Sequence, residues 1–242
     1  MTASHPPRQV LHGLRPICHA ILWSAYRLRV HAAGRVPRTG PVILASNHLG
    51  VIDGPLVAIC APRPVHALTK VEMFRGPLGG FLTAAGQISL DRFHPDPGAL
   101  KSCLRVLDDG GVVGIFPEGV RGDGELHRFH HGAAYLALRT GAPVVPVTLV
   151  GTRAPGGGAD SVPTFRSRLD ICFGEPWQVP AHPWPRRRTA VLAASAQLRS
   201  HMQAHQERVL AELGRTLPGP LPAGQPDGDP DTGFIDPQAG TA

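Results

Sequence analysis

"PVILASNHLGVIDGPLVAICA" occupies residues 41–61. Val42 to Ala45 form a short uncharged apolar run, the composition of a strand buried on both faces. "DGPLVAICA" then reads as a helix, with Asp53 at its N-cap and Pro55 in its first turn. A buried strand, a short polar turn and a helix make the unit from which layered α/β domains with parallel sheets are built.

The same alternation continues along the chain. "PVHALT" (64–69) reads as a second strand closed by Lys70, and residues 71–85 are helical around "PLGGFLTAA". "GQISLDR" (86–92) is a brief strand running out into charge. Asp96-Pro97 opens a helix whose Leu100, Cys103, Leu104 and Leu107 follow the i, i+3, i+4, i+7 spacing, and Gly110 closes it. "GVVGIF" (111–116), "PVVPVTLVG" (143–151) and "RLDICFG" (168–174) are further strands, and "GAAYLALRTG" (132–141) is a helix ending at Gly141. The expected fold is therefore α/β: a layered fold with a largely parallel mixed sheet flanked by helices.

The flanks differ from this core. Residues 1–35 are expected to form an N-terminal amphipathic helical segment, after a disordered start at 1–7. Val10, Leu14, Ile17, Ile21, Leu22 and Leu28 alternate there with Arg8, Arg15, Arg27 and Arg29, and Pro16 breaks or starts a helix. Such a helix either packs on the domain or lies on a membrane surface with Trp23 and Tyr26 at headgroup depth. The catalytic domain is expected over 36–182. A C-terminal helix over 183–214 carries an apolar stripe of Val191, Leu192, Leu198, Met202, Val209, Leu210 and Leu213. Residues 215–242, rich in Pro and Gly, are expected to be a disordered tail.

Bulk composition narrows the function classes. The chain has 242 residues, 42% of them apolar and only 5% aromatic, which suits one domain with a core of small aliphatic side chains. Lys and Arg number 24 against 18 Asp and Glu, a net charge of +6 that favours anionic partners. No basic run is interleaved with aromatics, so no nucleic-acid partner is expected, and "PRRRTA" (185–190) reads as a helix start or lipid contact. The four cysteines, at 18, 60, 103 and 172, have no ligand-like spacing and are expected to be reduced. No stretch reaches the about 20 apolar residues that span a bilayer, and no cleaved leader is expected. Among 13 histidines, "HRFHH" (127–131) clusters, yet no HExxH or other ligand set appears, so no metal is expected.

His48, Arg92 and Glu118 all fall in loops that leave strand carboxyl ends, where sites gather in such sheets. A neutral imidazole can take a proton from a hydroxyl while a carboxylate holds its tautomer. On one regular helix, His48 and Asp53 would sit about 140° apart. A turn ahead of a helix can bring them together. By themselves they fit either a base with its orienter or a capping aspartate beside a polar histidine. "FPEGVRG" (116–122) places Glu118 and Arg121 together, as a substrate grip or a turn ion pair.

Four stretches occur in order: "NHxxxxD" (47–53), "GQISLDR" (86–92), "FPEGVRG" (116–122) and "VVPVTLVG" (144–151). This array resembles the PlsC-like lysophospholipid acyltransferase family, which includes 1-acylglycerol-3-phosphate acyltransferases, over residues 36–180. The resemblance implies that His48 is the general base and Asp53 its support. It implies an acceptor pocket of Lys70, Arg92, Glu118, Gly119 and Arg121, with the block around Pro146 on the acyl-donor side. It implies transfer of a fatty acyl group from acyl-CoA or acyl carrier protein (acyl-ACP), as co-substrate rather than cofactor, to the hydroxyl of a lysophospholipid. It also implies attachment to an anionic membrane surface, peripherally on the cytoplasmic face of the plasma membrane. The third block is commonly "FPEGTRS"; Val120 and Gly122 here lack both hydroxyls. Another headgroup, such as that of an amino-acid lipid, therefore also fits.

Overall fold

The computed structural model describes residues 9–182 and 187–223. The expectations of disorder for 1–7 and 224–242, and part of the run 185–190, lie outside the described residues.

Alternating helix and strand patterns produce one seven-stranded sheet. Its strands are β1 (Arg27–His31), β2 (Val42–Ser46), β3 (Val65–Lys70), β4 (Ile88–Leu90), β5 (Val112–Ile115), β6 (Val144–Val150) and β7 (Arg168–Phe173). They lie in the order β1-β7-β6-β2-β5-β3-β4. Only β6 and β7 pair antiparallel; the other five pairings are parallel. The carboxyl ends of β2 to β6 therefore share one edge of the sheet.

The helices are α1 (Gln9–Ala25), α2 (Asp53–Cys60), α3 (Gly76–Ala84), α4 (Pro97–Asp108), α5 (Gly132–Thr140) and α6 (Arg188–Leu213). Strand alternation sends Val42 and Leu44 to one face, where they pack with Leu56 and Val57 of α2. Ile43 and Ala45 face the other way, against Val106 of α4, Leu136 of α5 and Leu198 of α6. Both faces are covered, which is why the central strands read as unbroken apolar runs.

Two terminal expectations are corrected. Helix is expected throughout 9–31, but Arg27–His31 is the sheet's edge strand, paired with β7. Leu28 and Val30 pack inward between outward-pointing polar residues, a period of two that outweighs the helical reading. Pro16 neither starts nor ends a helix; α1 runs through it, with Arg15 tying that turn to the carbonyls of Ile59 and Ala61. Disorder is expected from 215, but 215–223 pack on the body. Arg215 donates to the Arg168 carbonyl at 3.1 Å and to Asp170 Oδ2 at 3.0 Å.

Candidate active site

The loop after β2 is built by side chains that imitate backbone. Asn47 Nδ2 donates to the Leu149 carbonyl at 3.1 Å, and its Oδ1 accepts from Leu149 N at 2.8 Å. The amide thus extends the sheet by one pairing and turns the chain outward at His48. His48 is held on both sides: its N donates to Glu118 Oε1 at 2.8 Å, and its carbonyl accepts from Gly122 N at 2.9 Å. The loop following β5 therefore grips the loop following β2.

Asp53 folds the short turn onto itself. Its Oδ2 accepts from Leu49 N at 2.6 Å and Gly50 N at 2.8 Å, and lies 2.8 Å from His48 Nδ1. The sequence predicts an N-cap here, with the carboxylate reaching forward. Asp53 instead occupies the first helical position and reaches back, because the preceding amides offer nearer donors. Gly50 is required: a Cβ there would stand 2.6 Å from the Thr152 carbonyl. Asp53 is wholly buried. Because Asp53 Oδ2 already accepts from two amides, it accepts Nδ1–H as well, which leaves Nε2 as the basic nitrogen of the cavity-lining His48. The imidazole stacks on Phe116, with ring centroids 4.2 Å apart.

Glu118 does not stand where a substrate contact is implied. Its carboxyl is buried beneath His48, and burial lifts its pKa well above the usual carboxylate range. Asp123 and Asp53 push the same way, and the amides of His48 and Gly124 oppose. Gly119, at φ 75°, makes the turn that lets Glu118 point inward while Val120 and Arg121 go outward.

Above this base lies a cavity of about 1110 Å³ lined by His48, Lys70, Arg92, Gly119 and Arg121. Asp53 and Glu118 are not among its lining residues; they sit behind it. Arg15 also lines the cavity, so four cations border it together with the carboxylates of Asp91, Asp96 and Asp160. Leu68, Leu78, Phe81, Leu82, Leu100 and Leu136 supply an apolar wall. Arg92 Nη1 donates to the Gly119 carbonyl at 3.0 Å, which links the loop after β4 to that after β5. Arg121 Nη1 donates to the Ala159 carbonyl at 3.1 Å and to Asp160 Oδ1 at 2.7 Å. Pro146 lies inside β6 opposite Ala45 and is not among the lining residues.

Sequence reasoning missed Asp160 and Arg153. Arg153 is almost fully buried behind the site. It donates to the carbonyls of Gly122 and Gly157, each at 2.9 Å, and also to Gly219. Since Gly122 N holds the His48 carbonyl, Arg153 supports the histidine through one intermediary. An arginine two residues past the "VVPVTLVG" stretch is its only sequence signal.

The histidines of "HRFHH" diverge: His127 meets Glu125 at 2.7 Å, His130 lines the cavity, and His131 meets Ser195 of α6 at 3.1 Å. All four cysteines are free. Burial pushes Cys103, the cavity-lining thiol deepest in the core, up to about 12, so it supplies no thiolate.

Among the described residues no helix is long and apolar enough to cross a membrane. The 1-acyl-sn-glycerol-3-phosphate acyltransferase of Bacillus subtilis is 27% identical over 151 residues, 62% of this chain and 73% of that protein. Its counterpart from Limnanthes alba is 35% identical over 54% of this chain, which spans only 48% of that longer relative. The crystal structure of the 1-acyl-sn-glycerophosphate (LPA) acyltransferase PlsC from Thermotoga maritima has the same fold, with a TM-score of 0.63 at 20% identity over 84% of this chain and 79% of that one. A family model described as acyltransferase matches residues 27–150, from β1 through β6, a span that holds His48, Asp53, Lys70, Arg92, Glu118 and Arg121. That match takes in more than half of the chain, which therefore belongs to the acyltransferase family.

Proposed function

We propose that this acyltransferase moves a fatty acyl group from a thioester, acyl-CoA or acyl-ACP, to the free hydroxyl of a lysophospholipid. The preferred acceptor is 1-acylglycerol-3-phosphate, the substrate named by its relatives, and the product is phosphatidic acid. The observation that carries this reading is one imidazole, oriented at Nδ1 by a buried carboxylate, in a cavity lined by Lys70, Arg92 and Arg121 and by many apolar side chains.

His48 Nε2 takes the hydroxyl proton as the acceptor oxygen bonds to the thioester carbonyl carbon. The tetrahedral adduct then collapses, the C–S bond breaks, and the imidazolium returns the proton to the leaving thiolate. Asp53 stabilises the imidazolium between these steps. Such base assistance contributes roughly 10²–10⁴-fold, and alignment of two bound substrates supplies much of the remainder. Arg92, Arg121 and Lys70 suit a phosphate, and the apolar wall suits acyl chains. The acceptor is a membrane amphiphile, so the enzyme works peripherally at an anionic leaflet, on the cytoplasmic side where acyl thioesters are made.

A second headgroup is favoured by one observation. Val120 and Gly122 line the turn without hydroxyls, so a lyso-lipid that asks fewer hydrogen bonds of that turn, such as an amino-acid lipid, also fits. The test is incubation of the full chain with acyl-CoA and a panel of lyso-lipids, read by mass spectrometry. An acylated lysophosphatidic acid supports the first reading, and another acylated lyso-lipid alone supports the second. If no panel member is acylated with either acyl-CoA or acyl-ACP, the proposal fails.

A further inference from the structure

β6 and β7 are antiparallel neighbours, a pair that a two-residue turn could close. Residues 151–167 join them instead, and this connection is ordered by its own bonds. Ser161 N and Oγ both donate to the Gly158 carbonyl, Ser167 N donates to Thr164, and Pro163 is buried. Arg153 pins it at Gly157. On that frame Val162 and Phe165 stand 64% and 69% exposed, more than any other large apolar side chain described. A frame this well bonded does not display a valine and a phenylalanine for want of a way to bury them.

The connection touches two other parts of the protein. At its middle, Ala159 and Asp160 line the cavity and hold Arg121. At the outer end, Arg166 N donates to the Ala25 carbonyl at 2.7 Å and Arg27 N donates to Ser167 at 2.9 Å, which places Phe165 beside the end of α1. From Pro16 to Ala25, α1 has no Asp, Glu, Lys or Arg, and Ile17, Ile21 and Trp23 are exposed. Arg27, Arg29 and Arg166 are exposed around the junction.

We infer that the β6–β7 connection is a membrane-contact element in its own right, in which Val162 and Phe165 enter the acyl layer of an anionic lipid surface beside α1. The flanking arginines meet the headgroups, and the cavity wall at Ala159 and Asp160 is thereby held against the bilayer. A fluid acyl layer accepts scattered apolar side chains without shaped pockets, whereas a protein partner would have to supply one for each. The inference rests on the reading that the acceptor is a membrane lipid, and it extends that reading to a segment outside the four sequence blocks.

The test is cosedimentation of the full chain with vesicles of phosphatidylcholine alone or with phosphatidylglycerol. The wild type is expected to bind the anionic vesicles more tightly. Val162→Ser with Phe165→Ser is expected to weaken that binding about tenfold or more, and Thr164→Trp, at an exposed position between them, to strengthen it. The double variant should keep wild-type acylation of a short-chain lyso-lipid dispersed in detergent, which shows that it is folded. Its activity on vesicle-borne acceptor should fall with binding. Unchanged vesicle affinity in the double variant, or no vesicle binding by the wild type, overturns the inference. If the vesicle results hold but no lyso-lipid is acylated, the substrate reading fails and the contact element stands.

Discussion

Arg121 Nη1 donates to Asp160 Oδ1 at 2.7 Å, although the Arg121 side chain is 19% exposed and that of Asp160 is 88% exposed. A cation at the cavity wall is thus neutralised by a carboxylate that solvent can reach. The Ala159 carbonyl holds the same Nη1, so the guanidinium keeps its place without Asp160. Asp160 therefore adds charge more than geometry, and on the proposed reading it would compete with an anionic headgroup.

Asp160→Asn is expected to lower the acceptor KM about two- to fivefold, the scale of an exposed ion pair. The effect should shrink as salt rises. Arg121→Ala is expected to raise the acceptor KM more than the donor KM. Steady-state kinetics with both substrates varied checks both variants; a raised acceptor KM in Asp160→Asn would make Asp160 an orienter instead.

His48→Ala is expected to abolish acyl transfer while thermal unfolding stays cooperative. Asp53→Asn is expected to lower kcat by about 10² or more, within the range for losing a well-placed base. It should also lower Tm, since Asp53 Oδ2 accepts from two backbone amides as well as the imidazole. Full activity in His48→Ala would sink the mechanism.

Glu118 titrates in the interior. Burial raises its pKa, so the folded chain holds this proton more tightly than the unfolded chain. Its favourable contribution is present below the ordinary carboxylate pKa and is lost as pH rises through the raised one. Glu118→Gln keeps an acceptor oxygen for His48 N and carries no proton to lose. The variant's Tm relative to wild type is therefore expected to climb with pH above the ordinary carboxylate range. Calorimetry from pH 5 to pH 9 checks this; a difference independent of pH contradicts it.

Arg153→Met removes the donors that hold the carbonyls of Gly122, Gly157 and Gly219. A loss of about 2–4 kcal/mol of stability is expected from leaving three part-buried carbonyls unpaired. Because Gly122 supports His48, kcat measured well below Tm should fall more than the acceptor KM changes. Arg153→Lys should recover part of the stability and less of kcat, since one ammonium cannot reach as many carbonyls as the forked guanidinium.

Local pattern carried much of this. The run at 42–45 is apolar because its strand is covered on both faces, and Leu100, Cys103, Leu104 and Leu107 repeat at helical spacing because one side of α4 faces the sheet. Those periods are short and are written in consecutive residues. The four sequence blocks likewise located His48, Arg92, Gly119 and Arg121, and the family resemblance added Lys70; all five line one cavity. The carboxyl ends of β2 to β5 share an edge, which is a consequence of parallel pairing and could be anticipated from the strand–helix alternation.

Tertiary structure decided which way the polar groups face. Glu118 and Arg121 belong to one turn, yet one is buried under His48 and the other meets Asp160 from a distant loop. Arg153 supports three segments that are far apart in sequence, and Arg215 docks a stretch whose composition reads as disordered. Arg27–His31 became a strand only because β7 offered it a partner. Each of these outcomes depends on which donor, acceptor or strand edge lies within reach after folding. Local periodicity reports the burial of a residue's own face and holds no record of which distant groups that face will meet.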